Sequence, residues 1–258
     1  MNTAALAIQD QVVLITGGAR GLGAELTRAF LNQGACVVIN YLQSKEAAET
    51  LVATAPDRAI ALQADVCDAQ AVAAMVEQAE RHFSKKITTV VNNALPSFRF
   101  NGDARPHAQD LSWEQMHQQM EGILRGALNT IQATMASMEA QHFGRIINIG
   151  TNLFQNPVVP YHDYTAAKAA LLSFTRTMSQ DLGPKGITVN MISGGLLRTT
   201  DASSATPEAV FDFIAASTPL RKVTDPAEFA DTALFFASPW ARSVTGQNLV
   251  VDGGLVKN

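Results

Sequence analysis

Short apolar runs alternate along the chain with longer segments in which apolar residues recur at helical spacing. The runs predict seven strands, at 12–15, 36–40, 59–62, 88–92, 145–149, 187–192 and 248–251. The segments between them predict helices at 24–33, 44–53, 69–83, 113–140, 164–182 and 226–237. The strand runs are apolar throughout, as expected when both faces of a parallel sheet are covered. This alternation predicts an α/β fold with a parallel sheet and helices on both faces.

Two polar stretches, at 96–112 and 193–224, are predicted to be long loops. Long loops in a compact domain often cover or bind a ligand, so we expect the stretch at 193–224 to close over a substrate. No linker rich in Pro, Gly or Ser divides the chain, and no internal repeat is present. The sequence therefore predicts a single domain over residues 1–258.

Composition and charge exclude several classes of protein. The chain has 258 residues, of which 47% are hydrophobic, and a net charge of −4 without a basic run, which argues against a nucleic-acid binder. No apolar stretch approaches the ~20 residues of a membrane span, and the first ten residues lack the positive segment of a signal peptide. None of the five histidines pairs with another His, Cys or carboxylate at zinc-site spacing. We therefore expect a cytoplasmic protein without a metal site, a membrane partner or a nucleic-acid partner.

The first predicted strand runs directly into a glycine-rich loop that precedes a helix. Gly17, Gly21 and Gly23 are spaced for a tight turn and for a close approach of the backbone to a ligand. The helix N-terminus offers N–H groups and partial positive charge to a pyrophosphate. The spacing differs from the common G-x-G-x-x-G, so the loop alone is also compatible with a turn that binds nothing. Its place after the first strand favours a dinucleotide site that includes Arg20 and Leu22.

The end of the second predicted strand indicates which dinucleotide is preferred. An acidic residue there would bind the adenosine ribose hydroxyls and repel a 2′-phosphate. Asn40 occupies this position, and Ser44 and Lys45 follow it. Arg20, in the glycine loop, is placed to contact a phosphate, although a surface ion pair is the alternative role. These residues together favour NADP(H) over NAD(H).

Tyr164 and Lys168 are four residues apart, which places both side chains on one face of a helix. A lysine cation close to the phenol favours the phenolate, so we expect Lys168 to lower the pKa of Tyr164. Tyr164 would then donate a proton to a carbonyl oxygen, or remove one from an alcohol in the reverse direction. The pair alone is weak evidence, because this spacing is common by chance.

The combination of motifs resembles the short-chain dehydrogenase/reductase family, and most of all the bacterial 3-oxoacyl-(acyl-carrier-protein) reductases. The matching segments follow the family's order over nearly the whole chain: 16–23, 65–66, 92–94, Thr151, Tyr164 with Lys168, 190–195 and 251–254. The resemblance implies one Rossmann-like domain with a doubly wound sheet of seven parallel strands, assembled as a homotetramer. It also implies a carbonyl reductase that takes hydride from NADPH.

The resemblance also implies roles for individual residues. Asp65 and Val66 would hold the adenine ring, and Asn92 and Ala94 would line the cofactor's ribose at the end of the fourth strand. Lys168 would bond the nicotinamide ribose as well as act on Tyr164. Thr199 would contact the nicotinamide carboxamide, although an ordinary loop threonine is the alternative.

The chain departs from the family pattern at several positions. Thr151 stands where the family usually has serine, and its hydroxyl offers the same donor and acceptors, so we expect it to bond the substrate carbonyl. The family commonly has an asparagine on the helix after the fourth strand, where it helps to hold a water that relays protons. Counting back from the fifth strand places Ile123 at this position, and counting forward from the start of the helix places Met120 there. Neither side chain forms hydrogen bonds. Leu95 and Gly194 replace a usual glycine and a usual proline near the site.

Three hypotheses follow from these observations. The first is an NADPH-dependent reductase of carbonyls such as 3-oxoacyl thioesters. The second is an alcohol, sugar or steroid dehydrogenase with a similar site. The third is an NADP-binding protein with weak catalysis, which the threonine and the missing asparagine motivate.

Overall fold

The protein is described by a computed structural model that covers residues 6–95, 98, 101, 104–200 and 203–257. Within these residues seven strands form one sheet in the order β3-β2-β1-β4-β5-β6-β7, and every neighbouring pair is parallel. The chain direction across the sheet reverses between β1 and β4, which is the switch point where ligands bind in folds of this class. The predicted doubly wound parallel sheet is confirmed.

The seven strands follow each other as the sequence pattern predicts, whereas the helices differ from it in two places. The strands are β1 (Val12–Ile15), β2 (Cys36–Tyr41), β3 (Ala59–Gln63), β4 (Thr89–Asn92), β5 (Gly144–Thr151), β6 (Ile187–Gly194) and β7 (Asn248–Val251). The helices are α1 (Gly21–Asn32), α2 (Lys45–Ala53), α3 (Ala69–Phe83), α4 (Trp113–Met120), α5 (Gly126–Gln141), α6 (His162–Leu182), α7 (Glu208–Ser217) and α8 (Pro226–Ala237).

Two apolar clusters cover the two faces of the sheet. Alternate residues of each strand point to opposite faces, so Val13 and Ile15 pack with α1, α2 and α8, whereas Val12 and Leu14 pack with α3, α5 and α6. The central strand β1 is at most 1% exposed at every position. This double burial explains why the strand runs are apolar at every position rather than at every second one.

The predicted helix at 113–140 is divided into three parts. A five-residue π-helical turn, Glu121–Arg125, separates α4 from α5. Gly126 begins α5 beside Val66, where an added Cβ would lie 2.9 Å from the Val66 Cγ2 atom, so the backbone approaches that loop closely. π-helical turns are frequent at functional sites, and this one lies beneath the cleft described below.

The predicted loop at 193–224 contains helix α7, so the assignment of the whole stretch to a loop was wrong. Helix α7 buries Phe211 but leaves Phe213 73% exposed and Val210 40% exposed. Apolar residues on both sides of so short a helix give no clear helical stripe, which is why the sequence pattern did not reveal it. Among the described residues, no helix is long and apolar enough to cross a membrane.

Candidate active site

The residues that carry the predicted chemistry meet where the carboxyl ends of β1, β4, β5 and β6 reach the same edge of the sheet. The glycine loop follows β1, Thr151 ends β5, and Tyr164 and Lys168 lie in the first two turns of α6. A small cavity opens between the glycine loop and α6. It is lined by Thr16, Val66, Asn92, Ala94, Gly122, Ile123, Gly126, Ala127, Lys168 and Leu171.

The glycine loop is shaped by positions that tolerate no side chain. Gly17 has φ +61°, and a Cβ added to Gly23 would lie 2.0 Å from the Gly17 carbonyl oxygen. Helix α1 starts directly behind the loop, and the side chain of its N-cap residue Arg20 makes no capping hydrogen bond. The capping residue therefore accepts no hydrogen bond from the first N–H groups of α1. These groups can donate instead to a pyrophosphate bound at the loop.

Asn40 supports the glycine loop from inside the protein rather than facing the cofactor cleft. Its side chain is 2% exposed; Oδ1 accepts a hydrogen bond from the Gly17 N–H at 3.2 Å, and Nδ2 donates to the Ala64 carbonyl at 3.0 Å. These bonds give the Asn40 side chain a positioning role in the loop, and its contact with a cofactor stays a prediction. An amide can give and accept these two bonds at once, which a carboxylate cannot.

Two further supports of the loop were missed by the sequence analysis. Asn93 donates from Nδ2 to the Thr16 and Gly17 carbonyls at 3.0 and 3.2 Å. The Thr16 hydroxyl oxygen accepts from the N–H groups of Asn93 and Ala94 at 2.9 and 3.0 Å. The Asn-Asn-Ala motif could have suggested such a role, but only the sheet order brings the end of β4 beside β1.

Asn92 lines the cavity, but its amide is bonded within the fold. Nδ2 donates to Asn148 Oδ1 at 2.9 Å, and Oδ1 accepts from the Thr130 hydroxyl at 2.7 Å. Asn148 in turn donates to the Thr175 hydroxyl at 2.8 Å. This buried network joins β4 and β5 to α5 and α6, so the side chain of Asn92 holds the cleft wall in place.

The predicted cofactor contacts farther from the reacting centre lie at the surface. Arg20 and Asp65 are exposed, and Ser44 is half-buried before α2. Asp65 accepts a hydrogen bond from the Cys67 N–H at 2.9 Å, and the Val66 carbonyl accepts from Asn129 at 2.8 Å, so both residues of this turn are fixed.

Thr151, Tyr164 and Lys168 form a buried group at the other end of the cleft. They are 4%, 5% and 3% exposed, and the Thr151 and Tyr164 hydroxyls are hydrogen-bonded to each other. Lys168 donates from Nζ to the Ile149 carbonyl at 2.5 Å, and Nζ lies 5.8 Å from the centre of the Tyr164 ring. The predicted geometric grouping of phenol, ammonium and threonine hydroxyl is therefore present.

The pKa of Tyr164 is raised in this structure, not lowered as the sequence analysis predicts. Burial raises the pKa of Tyr164 to about 12 and outweighs the hydrogen bond from Thr151, which acts in the opposite direction. Burial also lowers the pKa of Lys168 to about 7. Burial removes water from both groups and so destabilises the phenolate and the ammonium alike. At neutral pH the pair is therefore a neutral phenol beside an amine that is protonated in only part of the molecules.

Lys168 makes the stability of the protein depend on pH. The unfolded lysine binds its proton up to a pKa of about 10.4, whereas the folded one releases it near pH 7, so the native state gains stability as pH rises between these values. Lys168→Met has no proton to release. We therefore expect the melting temperature of Lys168→Met, relative to the original protein, to be highest at pH 7 and to fall towards pH 10.

Thermal unfolding at both pH values measures this difference, with Lys86→Met as the control. Lys86 is 58% exposed, so the difference between this variant and the original protein should change little with pH. The raised pKa of Tyr164 acts only above pH 10 and is common to all three proteins. If the difference in melting temperature between Lys168→Met and the original protein were the same at pH 7 and pH 10, the lowered pKa of Lys168 would be contradicted.

The two candidate positions for the missing asparagine both lie near the cavity. Ile123 is 4% exposed within the π-helical turn and packs with Tyr164, and Met120 and Leu95 are partly buried in the same apolar cluster. The cluster gives that side of the site an apolar wall. Thr199 is exposed in the segment after β6, outside the buried group.

Comparison with known proteins identifies the family. Residues 17–256 match a family described as "Enoyl-(Acyl carrier protein) reductase". The chain is 35% identical to a 3-oxoacyl-[acyl-carrier-protein] reductase of Synechocystis sp., over 97% of this chain and 98% of the relative. It is 34% identical to Versicolorin reductase 1 of Aspergillus parasiticus, over 96% and 97% of the two chains.

A solved structure agrees with the fold and the sequence match. It is a blue fluorescent protein from a metagenomic library in complex with NADPH, with a TM-score of 0.85 and 32% identity, over 98% of this chain and 100% of that one. The doubly wound sheet of seven parallel strands agrees with this match. The chain belongs to the short-chain dehydrogenase/reductase family.

Proposed function

We propose that this protein is an NADPH-dependent oxidoreductase that reduces a carbonyl to an alcohol. The observation that carries the proposal is the hydrogen bond between the Thr151 and Tyr164 hydroxyls, with Lys168 buried beside them at the cavity that adjoins the glycine loop. A hydroxyl pair in a cleft of this kind can bind one carbonyl oxygen and protonate it.

The roles of the three residues follow from their protonation states. A pKa of about 12 keeps Tyr164 protonated at neutral pH, which is the state that donates a proton to a carbonyl oxygen. Thr151 holds that oxygen through its own hydroxyl and orients it towards the phenol. Lys168, charged in a fraction of molecules at neutral pH, stabilises the phenolate that remains after the proton has moved.

The residues of the cleft fit an NADP(H) molecule. The glycine loop, with Gly17, Gly21, Leu22 and Gly23, would receive the pyrophosphate, because a Cβ at Gly23 would fill the space that the backbone needs. At the surface end, Asp65 and Val66 would hold the adenine and Ala94 would face the ribose. At the buried end, Lys168 would bond the nicotinamide ribose and Thr199 its carboxamide. Bound NADPH would supply the hydride.

Preference for the phosphorylated cofactor rests on the end of β2. Asn40 leaves no carboxylate there to repel a 2′-phosphate, and Arg20, before α1, and Ser44, before α2, are at least partly exposed. Arg20 is the proposed phosphate contact, because a guanidinium binds phosphate oxygens through paired N–H donors. The related blue fluorescent protein was solved with NADPH, which supports the same choice.

A 3-oxoacyl thioester is the proposed substrate class. Relatives from Synechocystis sp. and Staphylococcus aureus are named 3-oxoacyl-[acyl-carrier-protein] reductases, at 35% and 30% identity. One observation favours a second class: Phe98 and Tyr161 form an aromatic wall around Tyr164, which suits a flat ring ketone. The family resemblance further supports a cytoplasmic homotetramer.

Turnover with matched carbonyls tests the proposal. Purified protein should oxidise NADPH with acetoacetyl thioester or with a fused-ring ketone, and should use NADPH at least about tenfold more efficiently than NADH, since one charged contact contributes about that much. Loss of nicotinamide absorbance measures the rate. Tight NADPH binding without turnover on any carbonyl would instead support the NADP-binding protein with weak catalysis.

A further inference from the structure

The segment after β7 holds a buried carboxylate that the proposed function does not use. Asp252 is 6% exposed, and Asn152, which directly follows Thr151 at the end of β5, is 3% exposed. Asn152 Nδ2 donates a hydrogen bond to Asp252 Oδ2 at 2.8 Å, across 100 positions of the sequence. This contact joins the C-terminal segment to the residue next to the threonine that is proposed to bind the carbonyl.

The carboxylate of Asp252 also folds the turn that follows it. Oδ1 accepts from the N–H groups of Gly254 and Leu255 at 3.0 Å each, and Oδ2 accepts from the Val256 N–H at 3.0 Å. A carboxylate offers about four lone-pair sites, so these three bonds and the one from Asn152 use all of them. The turn therefore fixes the carboxylate, and the fixed carboxylate holds the Asn152 side chain in one orientation.

Two other segments pack against this pair. A Cβ added to Gly195, which follows β6, would lie 3.1 Å from Asn152 Nδ2 and 3.2 Å from Asp252 Cβ. In the segment after α7, the Leu220 N–H donates to the Gly253 carbonyl at 3.2 Å. The ends of β5, β6 and β7 and the segment after α7 therefore meet around the hydrogen bond between Asn152 and Asp252.

Asn152 lies between two groups that orient the Thr151 hydroxyl. The Leu153 N–H donates to Thr151 Oγ1 at 3.3 Å, which leaves the proton of that hydroxyl for the Tyr164 oxygen. The position of the Leu153 N–H depends on the backbone of Asn152, whose carbonyl accepts from the Asn156 N–H at 2.9 Å. A displacement of Asn152 would therefore move the donor that sets the direction of the Thr151 O–H bond.

We propose that Asn152 and Asp252 are positioning residues that keep the Thr151 hydroxyl directed at Tyr164. This inference rests on the proposed function, in which these two hydroxyls bind and protonate the carbonyl oxygen. The pair acts through Thr151, so its loss should lower kcat rather than the affinity for NADPH. A misplacement of about 1 Å in a reacting geometry can cost on the order of 10²-fold in rate, so a small displacement is enough.

The ¹⁹F NMR spectrum of protein labelled with 3-fluorotyrosine tests the proposal without substrate or nucleotide. The chain has three tyrosines, so single Tyr→Phe variants assign the resonances. Thr151→Val removes the hydroxyl and defines how the Tyr164 resonance moves when the hydrogen bond is lost. Asn152→Asp places a second carboxylate against Asp252, and their repulsion should move the Tyr164 resonance in the same direction. The resonance of Tyr41, in the cluster of α1, α2 and α8, should stay in place.

Adding Asp252→Asn to Asn152→Asp should restore the pair, because the amide at position 252 then donates to the carboxylate at position 152. The Tyr164 resonance should return, and a kcat that Asn152→Asp lowers about 10- to 100-fold should recover. NADPH affinity should stay within about twofold in both variants, since a factor of two is less than the loss of one hydrogen bond. Asn32→Asp adds the same charge at the exposed end of α1 and should change neither quantity.

A Tyr164 resonance that moves in Thr151→Val but stays in place in Asn152→Asp would overturn the proposal. A resonance that moves in Asn152→Asp without returning in the double variant would also overturn it. If Asn152→Asp does not fold, Asn152→Ala removes the donor without adding a charge, and the same movement is required of it. If Thr151→Val itself left the resonance in place, the hydroxyl pair would be absent and the proposed function would fail as well.

Discussion

Tyr164→Phe should lower kcat about 10³-fold while NADPH affinity stays within about twofold, because one proton donor is removed and the buried ring is kept. Phenylalanine fills the same space between Phe98 and α6, so the walls of the cleft stay in place. Thr151 loses one hydrogen bond but still accepts from the Leu153 N–H at 3.3 Å. Steady-state kinetics and fluorescence titration with NADPH measure the two effects separately.

Tyr41→Phe is the matched control for this substitution. It removes the hydroxyl of another buried tyrosine, at the end of β2 and away from the reacting group. Its kcat should stay within about threefold of the original value, because no transition-state contact is lost. Equal turnover of Tyr164→Phe and the original protein would remove Tyr164 as the proton donor, whatever the substrate.

Gly23→Ala should weaken NADPH binding about 10- to 100-fold, because overpacking costs roughly 1–3 kcal/mol and each 1.4 kcal/mol changes a dissociation constant tenfold. The added Cβ would lie 2.0 Å from the Gly17 oxygen and 2.8 Å from Asn93 Nδ2. Since the nearest atom is backbone, the glycine loop itself must move. The melting temperature should also fall, because Asn93 and Asn40 hold that loop to the sheet.

Gly183→Ala supplies the comparison for this loop. No heavy atom lies within 4 Å of a Cβ added at Gly183, and its φ of −53° suits any residue. Its NADPH affinity should therefore equal that of the original protein. If Gly23→Ala bound NADPH as well as Gly183→Ala does, the glycine loop would not be the pyrophosphate site.

The sequence indicated the role of the loop glycines but not what the side chains of Asn40 and Asn92 bind. Gly17 and Gly23 were recognised from spacing because their function, a close approach of backbone to backbone, depends on local geometry. Asn40 and Asn92 were placed correctly along the chain, but their amides are used within the fold. Whether a polar side chain at the end of a strand faces a ligand or a neighbouring strand depends on contacts between distant segments.

The pKa of Tyr164 illustrates the same limit in electrostatics. The spacing of Tyr164 and Lys168 on one helix predicts a Coulombic interaction between them. The structure adds a desolvation that acts on both groups and exceeds this interaction. Burial is a property of the folded molecule. The spacing of the two residues in the sequence could therefore indicate the pair but not its protonation state.

By itself, the sequence determined the α/β class, the succession of seven strands and most helices along the chain, the glycine loop and the Tyr164–Lys168 spacing; the resemblance to a family added Thr151. These depend on periodicity and on short motifs, which are local in the chain. Only the tertiary structure decided the π-helical turn, helix α7, the inward bonding of Asn40 and Asn92, and the stacking of Phe98 on Tyr164. Each of these arises from packing between segments far apart in sequence, where the energy of contact and burial outweighs local preference.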